Sequence, residues 1–244
     1  MIKPKALQHA GQVIPYRVQH KKAVTRRIHL KTDADGSLLV IAPRRMSRRA
    51  VHDTLQERVH KVADFLAGAR KKLEETPELK YLEGERHLFM GQWLTLEFVR
   101  STSGRGFVQL SSEGIRVTSP ELDPDRVSNL LAAWYRQQSQ DHFRARMKVI
   151  AGQAPWIQGG PPALRVRKMK RTWGNCSLKR GITLNTQLIK TPPHCIDYLI
   201  AHELCHVKEM NHGPAFYALQ SRLFPGWRAA RSELQEQAHV YLDG

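Results

Sequence analysis

The first third of the chain opens in short β-like runs and then switches to helical spacing. Residues 13–18 and 27–32 read as strands, and 37–42 as a returning strand stopped by Pro43. Asp33-Ala34-Asp35-Gly36 is a turn, with glycine where a positive φ is needed. Ser47 is an N-cap. Val51, Leu55, Val59, Val62 and Leu66 follow at helical spacing. They predict one helix ending near Gly68 or in the charged stretch 70–75, before Pro77.

The middle returns to short strands at 88–91, 93–99, 107–110 and 114–117, separated by Gly/Ser-rich turns. Asp123-Pro124 opens a second helix, an N-cap followed by proline at the first helical position. Val127, Leu130, Leu131, Trp134, Met147 and Ile150 mark its buried side. A Gly/Pro-rich loop at 153–162 leads to strands at 164–168 and 182–185. Thr191-Pro192-Pro193 starts a helix running to about Met210, and helical stretches 214–224 and 227–241 follow. No internal repeat is visible. The pattern gives an α+β chain with a β-rich region carrying one helix over 1–118 and a catalytic domain over 119–244.

Charge changes this picture in one respect. The net charge is +17, and residues 1–72 hold 17 Lys and Arg against 5 Asp and Glu. That surplus makes an anionic ligand or nucleic acid a candidate partner of the N-terminal region. Arg44, Arg45, Arg48 and Arg49 crowd around Pro43 and the Ser47 cap. Three cysteines without CxxC spacing argue against a disulfide framework and read as free thiols. No apolar run reaches membrane length, and the first twelve residues lack a signal-peptide core, so the expectation is a cytoplasmic chain without a membrane span.

The chemistry is concentrated in His202-Glu203-Leu204-Cys205-His206. Histidines four apart on a helix project from one face and can share one zinc ion. Glu203, rotated by about 100° from His202, stands beside such an ion without ligating it and can take a proton from its water. Ile196, Leu199, Ile200, Val207 and Met210 form the helix's apolar stripe, and Cys205 points away from the histidines. A catalytic zinc site has three protein ligands. His212 is placed to be the third if the chain turns back at Asn211, a residue that tolerates the left-handed conformation, before Gly213-Pro214 starts the next helix. Glu233 or Glu236 is the rival third ligand.

The run Met169–Ser177, then Ile182-Thr183-Leu184-Asn185, then 198–212, then Phe224-Pro225-Gly226-Trp227 resembles the YgjP-like zinc metallopeptidase family in order and spacing. The resemblance is strong over 165–227 and weak before 120. It implies a compact zincin fold related to SprT-like and minimal gluzincin-type proteases, with zinc on His202, His206 and His212 and Glu203 as catalytic base. Asn175 departs from the family's usual serine, which leaves its role and that of Ser177 open. Arg171 reads as a surface residue or an anion contact, and Tyr217 and Tyr241 as packing groups or oxyanion donors. The expected activity is hydrolysis of a peptide bond in a peptide or protein substrate. The alternatives are a zinc-dependent nucleotide phosphohydrolase and a nucleic-acid-associated protease.

Overall fold

Strand β1 (Lys5–His9) and strand β2 (Gln12–Lys21) form a hairpin whose two turn residues, Ala10 and Gly11, both have positive φ. That geometry matches the turn to the twist of the strands. Strands β3 (His29–Thr32) and β4 (Leu38–Pro43) complete a sheet of order β1-β2-β4-β3, with β2 and β4 parallel and the outer pairings antiparallel. The computed structural model describes residues 5–21, 24, 27–33, 36–75, 79–102, 104–169, 172–177 and 179–243, without the side chains of 5, 71–75 and 243. Gly36 has the expected positive φ, while Ala34, Asp35 and Pro77 lie outside the described residues.

Helices α1 (Arg48–Glu57) and α2 (Val59–Glu75) replace the single helix predicted from periodicity. Ser47 caps α1 by accepting from Ala50 N at 3.1 Å. The Arg58 N–H bonds Leu55 O three residues back, and this tightened turn ends α1. Val51 and Leu55 pack with Val62 and Leu66 against Leu7, Tyr16, Leu38 and Val40 in the core of this first unit. Burying each such side chain contributes about 1.5–3 kcal/mol.

The second unit starts with the same arrangement. Strands β5 (Arg86–Phe89), β6 (Gln92–Arg100), β7 (Phe107–Leu110) and β8 (Gly114–Ser119) have order β5-β6-β8-β7, again with the central pair parallel and the outer pairs antiparallel. Met90 and Gly91 repeat the positive-φ hairpin turn. Helix α3 (Pro124–Gly152) follows, capped by Asp123. Its buried Val127 and Leu131 stand four and eight residues after the cap, as Val51 and Leu55 do after Ser47. The facing pair Tyr16 and Leu38 corresponds to Leu96 and Ile115. The molecule therefore contains a repeat of topology that the sequence conceals, because few of the matched positions hold the same residue.

This also moves the division of the chain. The two compact units are 1–77 and 78–244, whereas composition placed the boundary at 118/119. Strands β5–β8 bury Leu96, Ile115 and Val117 in one core with α3 and the C-terminal helices, so they belong to the second unit.

Strands β9 (Leu164–Arg167), β10 (Gly174–Ser177) and β11 (Gly181–Asn185) form a third sheet of order β10-β11-β9. A 3-10 helix (Thr186–Lys190) leads into α4 (Pro193–His206), and α5 (Pro214–Leu223), α6 (Trp227–Glu236) and α7 (Ala238–Asp243) close the chain. The β5–β6 turn docks on this junction, with Met90 N and Gly91 N donating to Ile189 O and Lys190 O at 2.9 Å. Arg146 holds α3 to α4 through two bonds to the Asp197 carboxylate, at 2.7 and 2.8 Å. With seven helices and three mixed sheets among the described residues, the architecture is α+β.

Candidate metal centre

Helix α4 is set in the core by Ile196, Leu199 and Ile200, all buried against the third sheet and α3. Prolines at 192 and 193 start it, since a first-turn proline loses no helical hydrogen bond. It ends at His206, a turn earlier than periodicity predicted, so Met210 lies outside the helix and is exposed. Asn211 has no positive φ. The turn is made upstream, where Lys208 N and Glu209 N both donate to Cys205 O. Gly213-Pro214 then opens α5 as expected.

These turns bring His202, His206 and His212 together. Their rings have centroids 4.7–5.0 Å apart, and one ring nitrogen from each lies within 4.8 Å of the others. The Nε2 atoms of His202 and His212 are 3.1 Å apart. Two nitrogens on a tetrahedral zinc at 2.0–2.1 Å would be separated by about 3.4 Å, so the donor set fits such an ion closely. The Nδ1–H of His206 donates to Glu209 O at 3.0 Å, which leaves Nε2 as its free donor atom and fixes the ring. Phe216, fully buried on α5, packs 4.6–4.9 Å from all three imidazoles and gives the site a dry floor. Sequence reading passed over Phe216, although it sits only four residues after His212.

Burial holds His202 neutral, pushing it down to about 3 with help from His206, His212 and Arg231, while the Gln220 amide opposes this. His212 is lowered by burial, with His206 and Arg231 adding to the effect. Neutral imidazole is the form that binds metal. Glu203 is 3% exposed, and burial alone raises its carboxyl to about 8. Its Oε2 has no hydrogen-bond partner among the described residues. A buried carboxyl with an orphaned oxygen beside three convergent imidazoles is a group awaiting a cation or a water.

Gly174, at the start of β10, lies against this carboxylate. A Cβ there would be 2.6 Å from Glu203 Oε1, so any larger residue would have to displace the carboxylate. Asn185 anchors the segment before it, with its amide donating to Met169 O at 2.8 Å and Thr172 O at 2.9 Å. Asn175 is exposed, its amide near Met169 Sδ at 3.9 Å, and Ser177 is half-buried at the end of β10. Arg171 lies outside the described residues.

The structure brings none of the other described candidates into this group of three; Glu233 lies instead with His194 and Cys195. Glu233 pairs with His194 at 2.7 Å, two turns before His202 on α4, and Glu236 accepts from Ser232. Cys205 is fully buried, its thiol pushed up to about 12 by burial. Tyr217 stacks on Trp227, and Tyr241 meets the edge of Trp173. Trp173, Tyr198, Tyr217 and Arg231 line a 230 Å³ cavity that reaches His202 and His212. In the first unit, Arg44, Arg45, Arg48 and Arg49 are exposed at the start of α1, whose first turn contains no acidic residue.

No helix among the described residues is long and apolar enough to cross a membrane. No curated protein matches the chain. One solved structure that is similar is the metallopeptidase zymogen abylysin of Pyrococcus abyssi, 28% identical, covering 41% of this chain and 93% of that one with a TM-score of 0.33. The model of the family described as YgjP-like, metallopeptidase domain matches residues 26–237. With that match running over most of its length, the chain belongs to the YgjP-like metallopeptidase family, hydrolases of peptides or proteins.

Proposed function

We propose that the protein is a zinc-dependent metallopeptidase in which His202, His206 and His212 hold the metal and Glu203 is the general base. The observation that carries this reading is the convergence of three imidazoles beside a buried carboxyl with an unpartnered oxygen. His202 and His212 would ligate through Nε2, and His206 through the Nε2 left free by its bond to Glu209 O. A zinc ion bound there supplies a Lewis acid and a bound water of lowered pKa.

Glu203 is in place to accept a proton at Oε2 and pass it to the leaving amine. Gly174 lets the backbone of β10 pass over that carboxylate. Among the described residues strand β10 is an edge of its sheet, paired only with β11, so its outer hydrogen-bonding groups are available to an extended peptide beside the reacting atoms. This arrangement favours a peptide over a nucleotide phosphoanhydride.

The test is metal content with activity. Wild type should purify with about one zinc per chain, and His202→Ala or His206→Ala should lose most of it, because two ligands hold zinc poorly. His212→Ala should do the same. Glu203→Gln should keep the zinc and lose peptide hydrolysis by about 10²-fold or more. Full zinc in the histidine variants, or unchanged turnover in Glu203→Gln, would refute the assignment.

A further inference from the structure

The cavity that reaches His202 and His212 measures 230 Å³. That is below the roughly 300–1,000 Å³ of sites for drug-sized ligands and suits one side chain or a chain terminus. Trp173, Tyr198, Tyr217 and Leu199 give it apolar walls. Contacts outside the cavity fix these walls. Tyr217 stacks on Trp227 with ring centres 5.2 Å apart, Tyr198 tilts against Phe224, and Trp173 meets Tyr241 edge-on.

The rest of the lining comes from α6. Arg231, Leu234 and Gln235 are spaced by three and four residues, so they share one helix face. Buried Trp227, Ala230 and Leu234 hold that helix in the core. The acids of α6 are engaged elsewhere, Glu233 with His194 and Glu236 with Ser232. Arg231 is exposed, and among the described residues it makes no hydrogen bond or ion pair. It stands close enough to Tyr198, His202 and His212 for its charge to bear on each. No Asp or Glu is among the described lining residues.

A guanidinium offers a rigid fork of donors that matches a carboxylate with two parallel bonds. Aromatic walls strengthen such a pair by displacing water around it, and they pack the methylenes of the side chain that carries it. A peptide bond held at the three histidines would lay a neighbouring residue in this cavity. We propose that Arg231 is a specificity-determining residue that receives a carboxylate of the substrate next to the scissile bond. The carboxylate belongs to an acidic side chain or to the C-terminus of the peptide. Its place beside the reacting bond rests on the metallopeptidase reading, whereas the cavity and its cation do not.

The probes are short peptides of alanine and serine, acetylated and amidated, with a central Glu, Gln or Lys, together with the Gln peptide bearing a free C-terminal carboxylate. They are titrated calorimetrically at physiological salt into the full chain as purified, carrying Glu203→Gln to prevent turnover. The Glu peptide or the free-carboxylate peptide should bind about tenfold or more tighter than the amidated Gln peptide, with the Lys peptide weakest. The tighter of the two anions identifies the source of the carboxylate. Adding Arg231→Gln should abolish the preference, and Arg231→Glu should turn it toward the Lys peptide. Arg222→Gln removes an exposed charge of α5 outside the cavity and should leave the preference intact, which separates a local site from the general attraction of a basic protein. Overturning results are no measurable binding of either carboxylate peptide at millimolar concentration, equal binding of the amidated Gln peptide, a preference that survives Arg231→Gln, or one lost equally in Arg222→Gln. Zinc content and wild-type turnover report on the peptidase reading separately, so each can fail alone.

Discussion

Replacing Gly174 by alanine would put a methyl carbon 2.6 Å from Oε1 of Glu203 and 3.1 Å from its Cδ. Gly174 is not among the residues with positive φ, so alanine suits the backbone and the contact is isolated as the variable. Ordinary heavy-atom contacts begin near about 3.5 Å, which requires a displacement of about 0.9 Å. The strand resists taking up that shift. Gly174 is paired with Leu184, Trp173 O accepts from Asn185 N at 2.8 Å, and the Asn185 amide holds Thr172 O. Most of the movement therefore falls on the Glu203 carboxylate. A misplacement of about 1 Å in a catalytic group costs on the order of 10²-fold in rate, and overpacking of this kind costs about 1–3 kcal/mol of stability. Zinc per chain, measured by elemental analysis, should stay near the wild-type value because no ligand is touched. Hydrolysis of a fluorogenic peptide mixture should fall by about 10²-fold, with a modest drop in Tm. A folded Gly174→Ala protein retaining wild-type turnover would refute the placement of Glu203 as base under β10, and loss of zinc would show that the strand supports the ligands instead.

Two further outcomes follow from buried polar groups. In metal-free protein, the folded-state pKa of Glu203, about 8, lies above its ordinary 4.5, so the folded state favours the protonated carboxyl and stability falls as pH rises between those values. Glu203→Gln removes this loss. Its stability gain over wild type should be absent near the lower pH and grow to at most on the order of 5 kcal/mol at the upper one. Taking the difference between the two proteins cancels the histidines' opposite trend, and a gain independent of pH in denaturant titrations would contradict the buried, unpartnered carboxyl. Asn185→Ala should lower stability by on the order of 3 kcal/mol, since the fully buried amide bonds Met169 N and O, Thr172 O and Gln187 N, and an unchanged urea midpoint would show that this anchor is dispensable.

Local spacing along the chain was enough to place His202, Glu203 and His206 on one helix, because the periodicity of a helix is a property of neighbouring residues. The caps at Ser47 and Asp123 and the start at Gly213-Pro214 were legible for the same reason, since each satisfies or removes backbone donors within a few residues. The spacing of His212 pointed to a third ligand, but its route did not. The chain turns through bonds to Cys205 O instead of a left-handed Asn211, a choice between turns of similar local propensity that the packing of Phe216 under the rings settles. Strand β10, the 3-10 helix and the Gly174–Glu203 contact left little trace in sequence, being short or defined by partners far along the chain. The division at 77/78 and the repeated strand order were likewise tertiary outcomes. A strand's neighbours and its unit are decided by which apolar faces it buries, and that depends on the register of whole sheets, which no window of adjacent residues encodes.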